Sequence, residues 1–303
     1  MSDMRVNLCG VELKNPVITA SGTFGFGMEY NEFYPISRLG GVACKGTTLL
    51  ERAGNPAPRI AETPAGMLNS VGLQNPGVEA FVSTYLPWLK QQDTAAIANI
   101  AGSSVDDYCA MAERLNDTDV DIVEMNISCP NVKQGGVGFG TSCESAAAVT
   151  KAVRAHCRKP LMVKLTPNVT NIGDIAAAVE DAGADAVSLI NTLTGMRIDI
   201  RTRRPILRNN TGGLSGPAVF PVAVRMVRDV YKRVSIPVVG MGGISTWEDA
   251  VEMMIAGAAA IQVGAANFRD PMASLKIVEG LEIYAAQQGL GSITELTGTL
   301  QEW

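Results

Sequence analysis

Residues 161–191 read Leu-Met-Val-Lys-Leu-Thr-Pro-Asn-Val-Thr-Asn-Ile-Gly-Asp-Ile-Ala-Ala-Ala-Val-Glu-Asp-Ala-Gly-Ala-Asp-Ala-Val-Ser-Leu-Ile-Asn. The two ends of this stretch, 161–166 and 186–191, are apolar runs without polar alternation, which is typical of parallel strands covered on both faces. Between them, residues 172–182 have helical composition, and Gly183 is placed to end that helix. The stretch therefore predicts one strand–helix–strand unit of a parallel sheet.

The same pattern recurs along the whole chain of 303 residues. Further apolar runs lie at 17–23, 41–47, 95–101, 121–128, 237–242 and 260–264. Most are followed by a helical stretch, and Ser245 and Glu248 have the spacing of a capping box at the start of one helix. Eight such units favour a TIM (β/α)8 barrel over an open doubly wound sheet, and we expect residues 1–303 to form one domain.

Three segments are additional to a bare barrel. Residues 5–15 are predicted to form a small N-terminal hairpin that closes the bottom of the barrel. Residues 48–80 and 193–216 are Pro- and Gly-rich and follow the second and sixth strands. We expect them to be long loops at the C-terminal face, where barrel enzymes build their active sites.

Composition and charge exclude several classes of protein. With 47% hydrophobic residues and a formal charge of −5, the chain has no general attraction for nucleic acid or anionic lipid. We expect no secretory leader and no membrane-spanning segment. The six cysteines include no Cys-x-x-Cys pair, so they are predicted to be free thiols in the cytoplasm, without a metal bound by this chain alone.

Polar side chains collect where the predicted strands end. Reading each run to its C-terminal end gives Ser21, Lys45, Asn99, Asn126, Cys129, Lys164, Asn191 and Thr192. No carboxylate stands among them, so they do not suit a divalent metal. Lysines carry positive charge and asparagines offer both donors and acceptors, which suits a planar ligand with amide and carboxylate groups.

Two of these residues are lysines embedded in apolar runs, Lys45 and Lys164. The ordinary alternative is a lysine whose amine reaches the surface. Burying a lysine is costly unless an anionic partner is present. Both lysines are therefore predicted to bind a ligand.

Glycines end the last two strands, in Val-Val-Gly-Met-Gly-Gly-Ile (238–244) and Gln-Val-Gly-Ala-Ala (262–266). Glycines allow backbone N–H groups to approach an anion closely, and barrels frequently bind phosphate at this place. The alternative is that these glycines only form tight turns.

Cys129 is the best candidate for a catalytic base. The only histidine, His156, lies in a helix-to-strand connection on the face that rarely carries chemistry. A thiol can act as a base when its surroundings favour the thiolate. The alternative is an inert buried cysteine, which is our interpretation of Cys9, Cys109 and Cys157, while Cys44 is assigned to the core.

The chain resembles a known family, the class 1 dihydroorotate dehydrogenases, which are flavin barrels of pyrimidine (UMP) biosynthesis. The resemblance runs almost end to end. It rests on Asn-Pro-Val-Ile-Thr-Ala-Ser-Gly-Thr-Phe-Gly (15–25), Lys-Gly-Thr-Thr (45–48), Asn-Ser-Val-Gly-Leu-Gln-Asn-Pro-Gly (69–77), Asn-Ile-Ser-Cys-Pro-Asn (126–131), Ile-Asn-Thr (190–192), Gly-Gly-Leu-Ser-Gly (212–216) and Gly-Met-Gly-Gly-Ile (240–244).

The subclass that this sequence resembles is 1B. Cysteine at 129 is typical of class 1, and residues 131–141 and 211–218 are similar to the 1B type. That type implies a heterotetramer of two catalytic chains with two partner subunits, which carry FAD and a [2Fe–2S] cluster and pass electrons to NAD⁺. The alternative is the fumarate-using 1A type, which this chain resembles less well.

The resemblance also implies the site. FMN, one per chain, would contact Ser21, Lys45, Gly46, Asn99, Asn126, Lys164, Ile190 and Gly216. Its phosphate would be held by Gly242, Gly243, Gly264 and Ala265. Dihydroorotate would be held by Lys45, Asn69, Ser70, Val71, Gly72, Leu73, Asn126, Asn191 and Thr192. Position 71 is Val, where the resemblance leads us to expect Met, and this difference bears on the shape of the substrate pocket.

The implied reaction oxidises dihydroorotate to orotate. Cys129 would remove a proton from C5 while a hydride leaves C6 for N5 of FMN. Lys164 would stabilise negative charge on the reduced ring, and Lys45 would neutralise the substrate carboxylate. The loop that bears Cys129 is glycine-rich and would act as a lid.

Three other functions remain open from the residues alone. Lys164 and the glycine-rich turns also fit a non-flavin phosphosugar lyase or isomerase that forms a Schiff base. A non-catalytic scaffold subunit is a second alternative, although a scaffold needs no polar groups on the barrel rim. A flavin barrel that acts on another dihydropyrimidine or on a uridine in RNA is the third, and the charge of −5 weakens its RNA form.

Overall fold

A computed structural model describes residues 2–128 and 138–303. Its strands are β1 (Val6–Leu8), β2 (Val11–Leu13), β3 (Val17–Thr19), β4 (Gly41–Ala43), β5 (Ile60–Thr63), β6 (Gly66–Asn69), β7 (Ala95–Ile100), β8 (Ile122–Asn126), β9 (Leu161–Lys164), β10 (Ala186–Leu189), β11 (Leu193–Gly195), β12 (Ile198–Asp199), β13 (Arg204–Pro205), β14 (Gly212–Ser215), β15 (Val238–Met241) and β16 (Ala260–Val263).

The helices are α1 (Val78–Ala80), α2 (Leu86–Lys90), α3 (Val105–Leu115), α4 (Cys143–His156), α5 (Ile172–Asp181), α6 (Phe220–Tyr231), α7 (Trp247–Ala256), α8 (Ala266–Arg269) and α9 (Ala273–Gln288). A π-helical turn at Phe81–Tyr85 joins α1 to α2. Among the described residues, no helix is both long enough and apolar enough to cross a membrane.

Eight parallel strands close into a barrel in the order β3-β4-β7-β8-β9-β10-β15-β16, with β16 pairing back onto β3. Each of the eight apolar runs predicted from the sequence contains one of these strands, so the predicted TIM barrel is confirmed. The residues of β8, β9, β10, β15 and β16 are all buried. These strands lack polar alternation because helices cover their outer faces while side chains fill the interior.

The helices begin and end at residues whose chemistry explains the boundaries. At the start of α7, the capping box is formed by Thr246 and Asp249. The prediction of Ser245 and Glu248 was therefore wrong by one position. The Asp249 carboxylate accepts the backbone N–H of both Ser245 and Thr246, which fixes the entry into the helix. Gly257 ends α7 with a φ of +134°, as expected for a glycine stop.

The N-terminal hairpin is confirmed, since β1 and β2 are antiparallel and pair Val6 with Leu13. The two segments expected to be loops contain strands instead. β5 and β6 from the first segment join β11 and β14 from the second in a four-stranded antiparallel sheet. Gly213 pairs with Asn69, and a Cβ on Gly212 would lie 2.6 Å from the backbone carbonyl oxygen of Asn69. Glycine therefore allows the two segments to meet tightly above the barrel mouth.

Candidate active site

A cavity of about 370 Å³ opens at the C-terminal mouth of the barrel, beneath the four-stranded sheet. It brings together every described residue that the sequence singled out for cofactor or substrate. These are Ser21, Lys45, Gly46, Asn69, Ser70, Val71, Gly72, Leu73, Asn99, Asn126, Lys164, Ile190, Asn191, Thr192, Gly216, Gly242, Gly243, Gly264 and Ala265. Cys129 lies outside the described residues.

Lys164 supplies a buried positive charge to the cavity. It ends β9 opposite Asn126 of β8 and is only 5% exposed. Within residues 2–128 and 138–303, its amine has neither a hydrogen-bond partner nor an ion-pair partner. A buried amine without a counter-charge is unfavourable, so this position suits an anionic group of a bound ligand.

Lys45 brings a second amine to the cavity from the end of β4. Its backbone N–H donates to the carbonyl of Gly25 over 2.8 Å, which fixes the chain where it leaves the strand. Burial lowers the pKa of Lys45, and the nearby charge of Arg59 lowers it further. No ion pair in the described part of the chain neutralises this lysine either.

Amide side chains from the end of β8 and from the segment after β10 meet at the cavity wall. Asn191 Nδ2 donates to Asn126 Oδ1 over 3.4 Å and also to Ser128 Oγ. Ser128 in turn donates to Asn126 Oδ1. The Asn126 backbone carbonyl accepts from Tyr108 Oη over 2.7 Å, which secures the end of β8. The amides are thus held in fixed orientations along one wall of the cavity.

The segment 69–73 forms another wall and is held by asparagines behind it. Asn75, only 5% exposed, donates to the Leu73 carbonyl over 2.7 Å and accepts from the N–H of Thr48. Asn55 Nδ2 donates to the Ser70 carbonyl over 2.9 Å. The buried hydroxyl of Ser70 has no partner within the described part of the chain. A donor or acceptor of a ligand could satisfy it.

Glycines leave room at the end of the cavity formed by β15, β16 and the loop after β3. A Cβ on Gly264 would meet nothing closer than the Ala20 Cβ at 3.6 Å, and one on Gly22 would meet nothing within 4 Å. Gly243 differs, because its φ is +81° and its Cβ would lie 2.7 Å from Phe220. The turn after β15 therefore requires glycine, while the space beside Gly264 and Gly22 is open for a ligand.

One functional feature was missed by the sequence analysis, which found no carboxylate at the rim. Glu124 lies in β8, two residues before Asn126, and is fully buried just below the rim. Its Oε2 accepts from Asn99 Nδ2 over 2.6 Å, and its Oε1 accepts from Gln262 Nε2 over 2.7 Å and Ser188 Oγ over 2.8 Å. A glutamate embedded in the apolar run 122–126 indicates a functional position in the same way as Lys164 does in its own apolar run.

Other lining residues were also missed, and most come from the four-stranded sheet and its connections. They are Ala20, Gly22, Thr23, Ile60, Met67, Thr194, Asn209, Thr211, Gly212, Gly213, Leu214, Ser215, Val219, Met241, Gln262 and Phe268. The lining residues that the structure describes include no His, Asp, Glu, Tyr or Cys. Similarly, no group of three potential metal ligands occurs among the described residues.

The remaining thiols and the histidine lie elsewhere. Cys44 is buried in the core as predicted, and burial raises its pKa to about 12. Cys157 is buried too, but Cys9 and Cys109 are partly exposed, so their assignment as buried residues was wrong. His156 is the last residue of α4, where Nδ1 contacts Glu113.

Comparison with known proteins gives the family. A family model described as dihydroorotate dehydrogenase matches residues 3–284. The chain belongs to the dihydroorotate dehydrogenase family. The resemblance seen in the seven sequence motifs is thereby confirmed at family level.

Relatives within the dihydroorotate dehydrogenase family match the chain over nearly its full length. A protein of Alkaliphilus oremlandii is 56% identical over 298 residues, covering 98% of this chain and 99% of the relative. A protein of Bacteroides thetaiotaomicron is 55% identical over 302 residues, covering 99% and 100%. A protein of Petrotoga mobilis is 52% identical over 300 residues, covering 99% and 100%. All three carry the name dihydroorotate dehydrogenase B (NAD(+)), catalytic subunit.

Proposed function

We propose that this chain is the FMN-binding catalytic subunit of an NAD⁺-linked dihydroorotate dehydrogenase, which oxidises dihydroorotate to orotate in pyrimidine biosynthesis. The observation that carries the proposal is the pair of lysines, Lys45 and Lys164, in one amide-lined cavity. Neither has a counter-charge among the residues described. A site with two cations and several fixed amides fits two anionic or carbonyl-rich partners, a flavin and a pyrimidine carboxylate.

The residues present fit FMN on three counts. The cavity volume lies within the usual range of about 300–1,000 Å³ for small-molecule sites. The buried amine of Lys164 needs an electron-rich neighbour, and Gly22 and Gly264 leave open space for a phosphate. When bound, FMN supplies the two-electron acceptor. The holding residues would be Ser21, Lys45, Gly46, Asn99, Asn126, Lys164, Ile190 and Gly216, with Gly242, Gly243, Gly264 and Ala265 at the phosphate.

The substrate would be bound by charge and by fixed amides. Lys45 would hold the substrate carboxylate, and Asn126, Asn191 and Thr192 would pair with the ring amides. The segment 69–73 would close the remaining side. These groups are already oriented by hydrogen bonds behind them, such as that from Asn75 Nδ2 to the Leu73 carbonyl. Such positioning lowers the entropy that must be lost to reach the reactive arrangement.

Cys129 is proposed as the base that takes the proton from C5 of the substrate. It follows Ser128, whose hydroxyl bonds to Asn126 at the cavity wall. The support is chemical, because the lining residues described offer lysines and amides but no carboxylate, imidazole or other thiol. Removal of a carbon-bound proton at neutral pH requires a group that can become basic there.

A partner subunit is proposed as the electron acceptor. The similar proteins are named as catalytic subunits, a term that implies a separate subunit in those enzymes. We infer that FAD and a [2Fe–2S] cluster are carried by that subunit, in an assembly of two plus two chains. The free thiols Cys9, Cys44, Cys109, Cys143 and Cys157 fit a reducing compartment, which supports a cytoplasmic location.

The reaction is tested on the purified chain loaded with FMN under anaerobic conditions. Dihydroorotate should bleach the flavin absorbance, and Cys129→Ala should slow this bleaching by about 10²-fold or more while FMN remains bound. The Cys143→Ser variant, which changes an exposed thiol, is the matched control and should bleach normally. Near-normal bleaching of Cys129→Ala would overturn the assignment of the base. A protein that binds no flavin would overturn the proposed function.

The acceptor is tested by turnover assays with fumarate or NAD⁺, each with and without the co-expressed partner subunit. We expect turnover with NAD⁺ only in the presence of the partner. Rapid turnover of the chain alone with fumarate would instead assign it to the 1A type.

A further inference from the structure

Asn99 and Gln262 are two buried amides that line the cavity and both contact Glu124. They are 1% and 0% exposed. Each donates its NH₂ group to the same carboxylate, over 2.6 Å for Asn99 and 2.7 Å for Gln262. Their carbonyl oxygens, Asn99 Oδ1 and Gln262 Oε1, have no hydrogen-bond partner within residues 2–128 and 138–303.

Both residues line the cavity, and their two unpartnered oxygens are buried. A Cβ on the cavity-lining residue Gly46 would lie 2.8 Å from Asn99 Oδ1, so this oxygen faces the wall beside Lys45. In Gln262, the NH₂ group is used by Glu124, which leaves the oxygen on the other side of the amide. Buried acceptors without a donor are unfavourable, and a ligand that supplies donors would satisfy both.

We propose that Glu124 is a positioning residue that fixes Asn99 and Gln262 with their carbonyl oxygens toward the flavin, and that Gln262 is a further cofactor-binding residue. This inference rests on the proposed function. The ligand groups that the two oxygens accept from are the hydrogen-bond donors of the bound flavin, its ring N–H or its ribityl hydroxyls. Glu124 itself touches neither cofactor nor substrate.

The physical reason is that a carboxylate accepts on both oxygens and cannot donate. Both neighbouring amides must therefore turn their NH₂ groups inward, toward Glu124, and their oxygens outward. A glutamine at position 124 has one donor end and one acceptor end. It can satisfy only one amide in the present orientation, and the other amide must reverse. One acceptor in the cavity then becomes a donor.

The Glu124→Gln variant tests the inference through FMN affinity, measured by quenching of flavin fluorescence on titration of FMN-free protein. We expect the dissociation constant to rise about 10- to 100-fold, the range for leaving one buried polar group without its partner. Ser188→Ala is the matched control. It removes another hydrogen bond to Glu124 but leaves both amides in place, so its affinity should stay within about threefold of wild type.

A double variant separates orientation from general damage to the fold. Glu124→Gln combined with Gln262→Glu exchanges the two groups, so that the carboxylate at 262 accepts from the amide at 124 and still offers an oxygen to the cavity. Asn99 then keeps its orientation. The exchange should recover most of the FMN affinity lost in the single variant. If Glu124→Gln alone does not fold, the double variant still tests the inference.

The reduction potential of bound FMN gives a second readout. Glu124→Gln removes a negative charge near the flavin and should raise the midpoint potential, whereas the double variant keeps the charge and should return it toward wild type. Wild-type FMN affinity in folded Glu124→Gln, or no recovery in the folded double variant, would overturn this inference alone. A wild-type chain that binds no FMN would overturn the proposed function as well.

Discussion

Asn126 and Lys164 stand opposite each other at the C-terminal ends of β8 and β9. The residue that pairs with Lys164 on the neighbouring strand is thus an asparagine rather than an acid. The nearest acid along β8 is Glu124, but its oxygens are occupied by Asn99, Ser188 and Gln262. The charge of Lys164 is therefore left for a ligand, and the folded chain holds it there at an energetic cost.

Replacement of Lys164 by methionine should make the FMN-free protein more stable and the enzyme slower. Removing a buried charge that has no counter-charge is expected to stabilise the fold by about 1–3 kcal/mol, the cost of leaving a buried polar group without a partner. At about 2–4 °C per kcal/mol, the melting temperature of FMN-free protein should rise measurably by circular dichroism. Flavin bleaching by dihydroorotate should slow by about 10²-fold, because a group that stabilises developing charge is lost.

Lys90→Met is the control for Lys164→Met. Lys90 Nζ lies 2.7 Å from Asp121 Oδ2 and is remote from the cavity. Its loss should leave the bleaching rate unchanged and should not raise the melting temperature, because it removes a partly exposed ion pair worth about 0–1 kcal/mol. A fall in melting temperature for Lys164→Met would show that its amine is already compensated in the free protein.

The affinity for orotate should begin to fall at a lower pH than it would if the lysine in the site had an ordinary pKa. Burial and the charge of Arg59 lower the pKa of Lys45, and only the protonated amine attracts the orotate carboxylate. Below this pKa the affinity should be constant. Above it the dissociation constant should rise about tenfold per pH unit, because each bound anion requires uptake of one proton. Perturbation of flavin absorbance by orotate measures the affinity.

The Cys129→Ala background removes a second titrating group from this measurement. In that background, Arg59→Gln should move the onset of weakening to higher pH, since one cause of the lowered pKa is gone. Lys45→Met should bind weakly at every pH, without an onset. An onset that is unchanged in Lys45→Met would assign the titration to another residue.

The sequence predicted the parts of the fold that depend on local pattern. Each barrel strand lies within a continuous apolar run because both of its faces are buried, and this signal does not depend on a partner. The pairing of β6 with β14 could not be predicted in the same way. It joins segments far apart in the chain, with glycines at Gly212 and Gly213 where a strand pattern would normally show side chains.

The candidate site was predictable to the extent that its residues end strands. Lys45, Asn99 and Lys164 were found by that rule. Glu124 was missed because it lies one layer below the rim, and its importance depends on Gln262, which reaches it from another strand. Contacts across a barrel interior depend on the register between distant strands, and that register is not visible in one sequence.

Gly264→Ala should weaken FMN binding without destabilising the protein. The added Cβ would meet only the Ala20 Cβ, at an ordinary contact distance of 3.6 Å, so the FMN-free fold should be unaffected. It would occupy the space proposed for the phosphate. We expect the dissociation constant of FMN to rise about tenfold or more, since overfilling a site costs about 1–3 kcal/mol.

Gly243→Ala is the contrasting variant. Its φ of +81° and the 2.7 Å approach to Phe220 should lower the stability of the FMN-free protein by about 1–3 kcal/mol in urea unfolding. If Gly264→Ala binds FMN as tightly as wild type, the phosphate does not lie beside Gly264.

Alkylation with iodoacetamide at neutral pH should inactivate the enzyme through Cys129. Thiolates are the reactive species, and burial raises the pKa of Cys9 and of Cys44 to about 12, so neither should react. Cys143 is exposed at the first position of α4 and should react without loss of activity. Peptide mapping by mass spectrometry should show that inactivation follows modification of Cys129.

Orotate and the Cys143→Ser variant provide the controls for alkylation. Bound orotate should slow both the inactivation and the modification of Cys129, because it would occupy the side of the cavity from which the base works. Cys143→Ser should lose one modified peptide and retain the wild-type rate of inactivation. Two outcomes would remove Cys129 as the base: inactivation that keeps pace with the modification of Cys143, or inactivation that is equally fast with orotate bound. Either would place Cys129 away from the substrate.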